Sequence, residues 1–284
     1  MGVRYLGKRN PVQTIGNGYF VDIKQNCISH KIYQSNKEIV YVSQDNYYVA
    51  DLSLGKDIVY YCDSATSCII IITVGYSEYC QKDVALISHL SRPGRFDDYF
   101  SKVNILFNKD VDIYASGANP PYPYLRKDGT YDYTALRNAE QTIKWISSGR
   151  VQVRQVSLKF GQGDPSIYTN NLDCYSITCD KKSNIMVNNN RIYLTNEQRD
   201  PTKGVQTLFC MYGNPMAIRL QTEEFSDEEI AALVQQAHDN NFECAADMSD
   251  EEILSTYSST PEYEVPWFCD SIRQAGLFVK NYIG

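Results

Sequence analysis

The stretch TSCIIIITVGYSEYCQKDVALISHL, residues 66–90, contains two apolar runs joined by a more polar turn. The runs CIIIITV and DVALISHL have the length and the β-branched content of buried strands, and neither approaches the ~20 apolar residues of a membrane span. We therefore expect two central strands that pair as an antiparallel hairpin. Cys68 stands at the start of the first run, and His89 stands near the end of the second.

The hairpin places the cysteine and the histidine together if its turn is centred between residues 78 and 79. Three pairs of residues then face each other on one side of the sheet: Cys68–His89, Ile70–Ile87 and Ile72–Ala85. Directly opposed residues have Cβ atoms ~5 Å apart, within reach of a hydrogen bond between a thiol and an imidazole. This register predicts a nucleophile and its base on one face of the sheet.

Short segments rich in β-branched and aromatic residues flank this hairpin and predict further strands. Those before it are GYFVDI (18–23), KIYQ (31–34), EIVYVS (38–43), NYYVADL (46–52) and DIVYYC (57–62). Those after it are DVDIYASG (110–117), which ends at a glycine, and RVQVRQVSLKFG (150–161). Further β-like segments continue to Leu220. Together the strands predict a mixed β-sheet with a sandwich-like core.

Two segments have the period of an amphipathic helix. In residues 91–107 the apolar positions recur at helical spacing after a proline: Phe96, Tyr99, Phe100, Val103 and Leu106. The segment TALRNAEQTIKWISSG, residues 134–149, has Thr134 in the position of a cap and a glycine at its end. We expect both helices to pack on the sheet, which gives an α+β fold with layered α/β/β architecture.

After Leu220 the sequence becomes acidic and helical. Two segments open with Ser-Asp-Glu-Glu, at residues 226–229 and 249–252, so that each serine cap is followed three residues later by a glutamate. A third helix is expected in residues 266–283. We therefore expect a catalytic domain at residues 1–221, which folds by itself, and a small helical C-terminal segment at residues 222–284, called the tail below.

The composition argues against several classes of partner. The formal net charge is −7, and lysine and arginine are scattered without a basic stripe, so we expect no nucleic-acid partner and no anionic membrane surface. Nine cysteines at irregular spacings favour reduced thiols over a disulfide framework, and we expect neither a metal nor another cofactor. The amino terminus, MGVRYLGKRN, lacks the apolar core of a secretory signal peptide.

A histidine beside a cysteine can accept the thiol proton and so produce a thiolate nucleophile. The segment DSATS, residues 63–67, is small and polar, and its backbone N–H groups can face an oxyanion. We treat Cys68 and His89 as the catalytic pair. Four residues are candidates for orienting groups or oxyanion donors: Cys62, Ser64, Thr66 and Ser67. The residues alone leave open that the cysteine is a small buried side chain and the histidine a strand-end residue.

The order of these parts resembles the CheD chemotaxis-receptor glutamine deamidases, whose core also occurs in the catalytic domains of cytotoxic necrotizing factor-type toxins. TSC (66–68) looks like that family's Gly-Ser-Cys, and ALISHL (85–90) looks like its Gly-x-Ala-His-x-x-Leu strand. DIYASGANP (112–120) is similar to its strand ending in Gly-Gly-Ala. ALRNAEQTIKWISSGRVQVRQVSLKFG (135–161) is similar to its helix followed by a strand, with an Arg-Asn pair near the start. The resemblance spans residues 58–161.

The resemblance implies a cysteine-dependent amidohydrolase that acts on the glutamine side chain of a protein. A toxin-like or effector-like deamidase fits better than a chemotaxis enzyme, and it would act in the cytoplasm or after translocation into a host cytosol. The family's threonine, six residues before the cysteine, orients the histidine, and this chain has Cys62 there. The third catalytic group is therefore left unassigned.

Three other functions are compatible with the same residues. A transglutaminase or a cysteine protease would use the same Cys-His pair, and a protein-binding module would use neither residue chemically. The tyrosine-rich loop NPPYPYLRKDGTYDY, residues 119–133, makes Tyr122 and Tyr124 candidates for a lip over a protein substrate. The same loop can equally be one that packs on its own side chains. His30 and His238 are expected to be structural.

Overall fold

The computed structural model describes residues 38–54, 58–108, 110–162, 175–179, 185–188 and 204–284. The strands expected at 18–23 and 31–34, and the structural role expected for His30, lie outside the described residues. Within them the chain has a mixed α+β fold, as the sequence predicts.

The described strands are β1 (Glu38–Tyr41), β2 (Asn46–Asp51), β3 (Ile58–Cys62), β4 (Ile69–Ser77), β5 (Lys82–Leu90), β6 (Val111–Gly117), β7 (Tyr124–Leu125), β8 (Tyr131–Asp132), β9 (Val153–Phe160), β10 (Tyr175–Cys179), β11 (Ile185–Asn188) and β12 (Arg219–Leu220). The described α-helices are α1 (Pro93–Leu106), α2 (Thr134–Ser147), α3 (Val205–Tyr212), α4 (Asp227–Asp239), α5 (Asp250–Tyr257) and α6 (Phe268–Ile283).

The strands form two larger sheets and one short hairpin. The six-stranded sheet has the order β12-β2-β5-β4-β6-β9, and the four-stranded sheet has the order β1-β3-β10-β11. Both sheets mix parallel and antiparallel pairs, because β12 and β9 join the first sheet in parallel and β1 joins the second in parallel. The hairpin of β7 and β8 interrupts the loop expected between β6 and α2.

Strand β4 separates two apolar layers, because the side chains of a strand alternate between the faces of its sheet. Ile69 and Ile71 pack among residues of α1 and α2 on one face. Ile70 and Ile72 pack among residues of the four-stranded sheet on the other face. The run of isoleucines has no polar alternation because this strand is covered on both sides.

The antiparallel pairing of β4 with β5 is confirmed, but the expected register is wrong by two residues. His89 lies opposite Ile70, not opposite Cys68, and Ile87 lies opposite Ile72. The strands stop at residues 77 and 82, so the connection is longer than the two-residue turn that the expected register assumed. A shift of two residues keeps each side chain on its expected face, because the side-chain period of a strand is two.

The helix boundaries confirm most of the expected caps. Ser226 and Ser249 each accept a hydrogen bond from the N–H of the glutamate three residues later, and both capping boxes are complete. The cap expected at Thr134 is wrong, because α2 already begins at that residue and Tyr133 occupies the cap position. Asp132 satisfies the free Thr134 N–H instead, at 2.7 Å.

The β-like pattern expected up to Leu220 is wrong for residues 205–212, which form α3. Val205, Leu208 and Phe209 follow helical spacing and are buried among residues of the tail helices. A short apolar run does not distinguish a buried helix from a buried strand, which explains the error. Helix α3 precedes the division expected at residue 221 yet packs with the tail, and that division stays a prediction.

Gly117 ends β6 at the point where this strand meets the start of β4. Its φ is +120°, and a side chain there would collide with the carbonyl oxygen of Cys68. Glycine has no Cβ and adopts this conformation without a steric penalty. The close approach lets the Ala118 N–H donate a hydrogen bond to the Cys68 carbonyl oxygen, at 2.9 Å. Gly117 therefore fixes the backbone beside the cysteine.

We predict that Gly117→Ala lowers the free energy of unfolding by about 3 kcal/mol, because strain at positive φ adds to a backbone collision. Gly149→Ala is the matched control: its φ is +70°, but no atom lies within 4 Å of the added methyl group. The control should lose only about 1 kcal/mol, from backbone strain alone. Urea unfolding followed by circular dichroism measures both losses, and equal losses would contradict the prediction.

Candidate functional site

A short loop, residues 63–67, carries the chain from β3 in the four-stranded sheet to β4 in the six-stranded sheet. We call it the crossing loop. Cys62 is the last residue of β3, and Cys68 directly precedes β4. Because the crossing is short, both cysteines lie in the apolar layer between the two sheets. His89 reaches the same layer from β5, on the face that Ile70 shares.

Hydrogen bonds from two other elements hold the crossing loop. The Asn119 N–H donates to the Thr66 carbonyl oxygen at 2.8 Å. The Asn138 side-chain amide, on the fully buried face of α2, donates to the carbonyl oxygens of Ser67 and Ser91, each at 2.9 Å. The asparagine thus ties the residue before Cys68 to the end of β5, where the histidine lies.

The imidazole of His89 has one ring nitrogen in contact with a thiol and one that is free. Nδ1 lies 3.4 Å from Sγ of Cys62. Nε2 is buried and has no hydrogen-bond partner among the described residues. The Cys62 thiol also lies 3.9 Å from the carbonyl oxygen of Asp63, to which it can donate its single proton. The sulfur then accepts from Nδ1–H, and this tautomer leaves Nε2 unprotonated.

Cys68 is 7 % exposed and lines a cavity of about 390 Å³ together with His89. Within the described part of the chain, no hydrogen bond joins its thiol to the imidazole, because the observed register places the two side chains diagonally. The cavity wall comes from the crossing loop, the residues after β5, α3 and the tail. Its polar lining includes Tyr41, Ser64, Thr66, Ser67, Arg92, Cys210, Ser259 and Glu264.

Burial keeps both members of the pair neutral. It lowers the pKa of His89 to about 4, against a weaker opposing effect of the Asp63 carboxylate. It raises the pKa of the Cys68 thiol well above its usual range, and the nearby Asp45, Glu264 and Cys210 raise it further. A neutral imidazole with a free Nε2 can act as a general base toward a neutral thiol. The arrangement therefore does not preform a thiolate.

The candidate orienting and oxyanion residues have different partners in the structure. Cys62 contacts the imidazole, while the Ser64 hydroxyl donates to the Asp63 carboxylate at 2.8 Å. The Thr66 hydroxyl bonds to Glu264, and Ser67 Oγ accepts a hydrogen bond from Ser259 Oγ at 2.9 Å. The backbone N–H groups of Ser67 and Cys68 donate to no partner in the described ranges, so they are free to face a developing oxyanion.

The tyrosines expected at a substrate lip lie beside the tail and do not line the cavity as the structure describes it. Tyr122 is 51 % exposed and hydrogen-bonds to Tyr263. The Tyr124 ring packs edge-on against the same tyrosine, with 6.4 Å between ring centroids. Because Tyr263 is the neighbour of Glu264 in sequence, the loop supports the tail segment that reaches the cavity.

A buried ion pair connects the residue before β2 to α1. Asp45 and Arg95 are both fully buried, and 3.4 Å separates Oδ2 of Asp45 from Nε of Arg95. The same carboxylate accepts hydrogen bonds from the N–H and the hydroxyl of Ser91, at 3.0 and 2.7 Å. Burial raises the pKa of Asp45, and the arginine opposes this shift. The pair holds Ser91, a cavity residue two positions after the histidine, in place.

Sequence reasoning missed three residues that the structure brings to the site. Asn138 belongs to a helix that the sequence predicts, but its part in the site is indicated only by the resemblance to the family's Arg-Asn pair. Cys210 lies on α3, which was expected to be a strand, and Glu264 lies in the tail. The Ser259–Ser67 contact joins positions 192 residues apart, and no local pattern indicates a contact of that range.

The comparisons with known proteins add no family. No protein-family model matches this chain, and no curated protein matches it. No described helix is long and apolar enough to cross a membrane. Among the described residues, no three His, Cys, Asp or Glu side chains are grouped so that they could hold a metal ion. The resemblance to the glutamine deamidases therefore stays a prediction, and its test must be chemical.

We predict that His89 makes the protein less stable in acid. Its pKa is about 4 in the folded state and 6.5 when exposed, so the unfolded state binds the proton more tightly. The free energy of unfolding should fall as the pH drops from 6.5 toward 4, and by pH 4.5 the loss due to this group is about 2.5 kcal/mol.

Urea unfolding at pH 7.5 and at pH 4.5 measures this contribution. In His89→Gln the loss of stability on acidification should be smaller than in the unmodified protein by about 2 kcal/mol. His238→Gln is the control, because this exposed histidine pairs with Glu243 on the surface. If all three proteins lose the same free energy, the His89 imidazole is not buried in neutral form.

Proposed function

We propose that the protein is a cysteine-dependent glutamine deamidase that hydrolyses the side-chain carboxamide of a protein. One observation carries the proposal. Nδ1 of His89 contacts the Cys62 thiol, Nε2 has no hydrogen-bond partner among the described residues, and His89 lines the same cavity as Cys68. A nucleophile, a base and a group that orients the base are the components of covalent amide hydrolysis. Cys62 also lies six residues before Cys68, where the resemblance implies the residue that orients the histidine.

The reaction has two steps. Sγ of Cys68 attacks the carbonyl carbon of the carboxamide, and Nε2 of His89 accepts the thiol proton and passes it to the departing ammonia. A water molecule, deprotonated by the same nitrogen, then attacks the thioester and releases glutamate and the free thiol. The charge that develops on the carbonyl oxygen in both steps is stabilised by the free backbone N–H groups of Ser67 and Cys68.

The Cys62 thiol has a positioning role in this mechanism. As an acceptor for Nδ1–H it selects the tautomer in which Nε2 is a base. A thiol is a weaker acceptor than a hydroxyl or a carbonyl oxygen, so it orients the ring less strongly than the family's threonine would. The resemblance also implies a fold, and we propose that the catalytic domain has the layered α/β/β arrangement of the deamidases.

The cellular setting is part of the proposal. The cysteines of the described residues are free thiols, and two of them, Cys68 and Cys210, line the cavity. A thiol nucleophile needs a reducing environment to stay active. We therefore propose action in a cytoplasm, either of the producing cell or of a host that receives the protein as a toxin or effector.

One observation favours a second candidate, a protein-binding module. Burial raises the pKa of Cys68 and lowers that of His89, which is also the pattern of an inert buried thiol beside a structural histidine. The exposed rings of Tyr122, Tyr131 and Tyr133 offer interface anchors for such a module. Alkylation separates the two: a base at His89 should speed the reaction of Cys68 with iodoacetamide, and His89→Gln should slow it about tenfold or more.

We predict that Cys68→Ser abolishes deamidation, while Cys62→Ala lowers its rate by about tenfold to a hundredfold. Loss of the nucleophile removes the covalent route, whereas loss of Cys62 only loosens the imidazole. Mass spectrometry of lysate proteins incubated with the enzyme detects the product as glutamine residues about one mass unit heavier. Cys62→Ser should restore much of the rate, because a hydroxyl accepts the Nδ1–H hydrogen bond.

The matched control is Cys80→Ser, a partly buried thiol on the connection between β4 and β5 that does not line the cavity as described. Circular dichroism must first show that each variant is folded. Equal losses in Cys62→Ala and Cys68→Ser would make Cys62 a participant in the chemistry. No product from the unmodified protein, combined with no effect of His89→Gln on alkylation, would favour the binding module.

A further inference from the structure

Part of the tail, residues 258–265, crosses the cavity beside the crossing loop. We call this segment the tail strap. Ser259 Oγ donates to Ser67 Oγ at 2.9 Å, and the Glu264 carboxylate accepts a hydrogen bond from the Thr66 hydroxyl. Both contacts reach the residues directly before Cys68. The strap therefore forms one wall of the site, and these polar contacts hold it there.

The Glu264 carboxyl group is partly buried in the cavity wall, and not all of its lone pairs have hydrogen-bond partners. It accepts two hydrogen bonds, from the hydroxyls of Ser258 (2.5 Å) and Thr66. An ionised carboxylate has about four lone-pair sites, so about two remain for another donor. Burial raises the pKa of Glu264 to about 7, and the two hydroxyl hydrogen bonds oppose this shift. A substantial fraction of the group is thus ionised at neutral pH, close enough to Cys68 to raise the pKa of the thiol.

We propose that Glu264 is the specificity residue of the site: it accepts the N–H bonds of the substrate's –NH2 group and excludes carboxylates. This inference rests on the deamidase function proposed above. A primary carboxamide carries two N–H donors, and a carboxylate carries none. The unused lone pairs of Glu264 fit the first group, whereas the second group would place two negative charges together inside a poorly solvated cavity.

The other ionisable groups around the cavity do not supply this selectivity. They are Tyr41, Cys68, His89, Arg92, Cys210 and Tyr257. Cys210 has its pKa raised by burial and is neutral, and His89 is neutral as well. Arg92 is the cationic member, and its Nη2 donates to the Cys210 carbonyl oxygen at 2.5 Å. Among the described residues that line the cavity, Glu264 is therefore the anion that can distinguish a neutral amide from an acid.

The proposed role has a consequence for the direction of the reaction. Deamidation converts a carboxamide into a carboxylate, so the product loses both donors that Glu264 accepts and gains a charge that it repels. The product is thus released after hydrolysis, and glutamate side chains do not occupy the site. The selectivity arises from charge and hydrogen bonding at one residue of the tail.

The test uses two alkylating probes of nearly equal size, iodoacetamide and iodoacetate. The first ends in a primary carboxamide, and the second ends in a carboxylate. Their relative rates at Cys68, measured at pH 8 by mass spectrometry of the cysteine-containing peptides, report the selectivity directly. The exposed thiol of Cys244 is an internal reference in the same sample.

In the unmodified protein, iodoacetamide should be preferred at Cys68 far more than at Cys244. Glu264→Gln should lower the preference at Cys68 about tenfold or more, the size expected for one charge a few ångströms away at low effective dielectric. Glu262→Gln changes an exposed carboxylate of the same turn and should leave the preference unchanged. An unchanged preference in Glu264→Gln would overturn the proposal.

A second measurement does not depend on any variant being folded. In the unmodified protein the preference at Cys68 should fall when the pH is lowered from 8 to 5.5, because Glu264 takes up a proton near pH 7 and iodoacetate stays charged. A preference that does not change with pH would also overturn the proposal. The mass gain on glutamine decides the deamidase function separately, so the two proposals can fail independently.

Discussion

The short crossing from one sheet to the other is the constraint on which the site depends. The chain leaves β3 at Cys62 and enters β4 after Cys68, and these strands belong to sheets that face each other. The crossing loop stays in the layer between the sheets, where its Ala65 is buried with the two cysteines. Both cysteines are therefore buried against the face of β5 that presents His89. The close approach of Gly117 and the amide of Asn138 keep the loop in this path.

The same burial explains why the pair is neutral. An apolar layer between two sheets disfavours the imidazolium and the thiolate alike, so both protonation equilibria shift toward the uncharged forms. A neutral pair can still perform general-base catalysis if the base has a free nitrogen and a fixed orientation. In the proposed mechanism the Cys62 contact orients the ring, and Nε2, which has no hydrogen-bond partner among the described residues, is the base.

The tail is structurally continuous with the site. Helix α3 packs with the tail helices, and the tail strap contacts Thr66 and Ser67 of the crossing loop. The tyrosine-rich loop supports the strap through Tyr263. The helical segment thus contributes a wall and an ionisable group to the cavity. The proposed catalytic pair lies on and beside the sheets, and the proposed selecting residue lies on the tail.

Local periodicity and hydrogen bonds between near neighbours are enough to predict the strands around residue 70, the two helices on the sheet and the capped tail helices. The sequence also indicated Cys68, His89 and Cys62 as candidate site residues, although the expected register of β4 and β5 was wrong by two residues. Each side chain still lies on its expected face of the sheet, because the side-chain period of a strand is two. The helix at residues 205–212 is evident only in the folded chain, because its burial against the tail distinguishes a helix from a strand there. Only the tertiary structure brought Asn138 and Glu264 to the crossing loop, because contacts across such sequence separations depend on packing that no local pattern encodes.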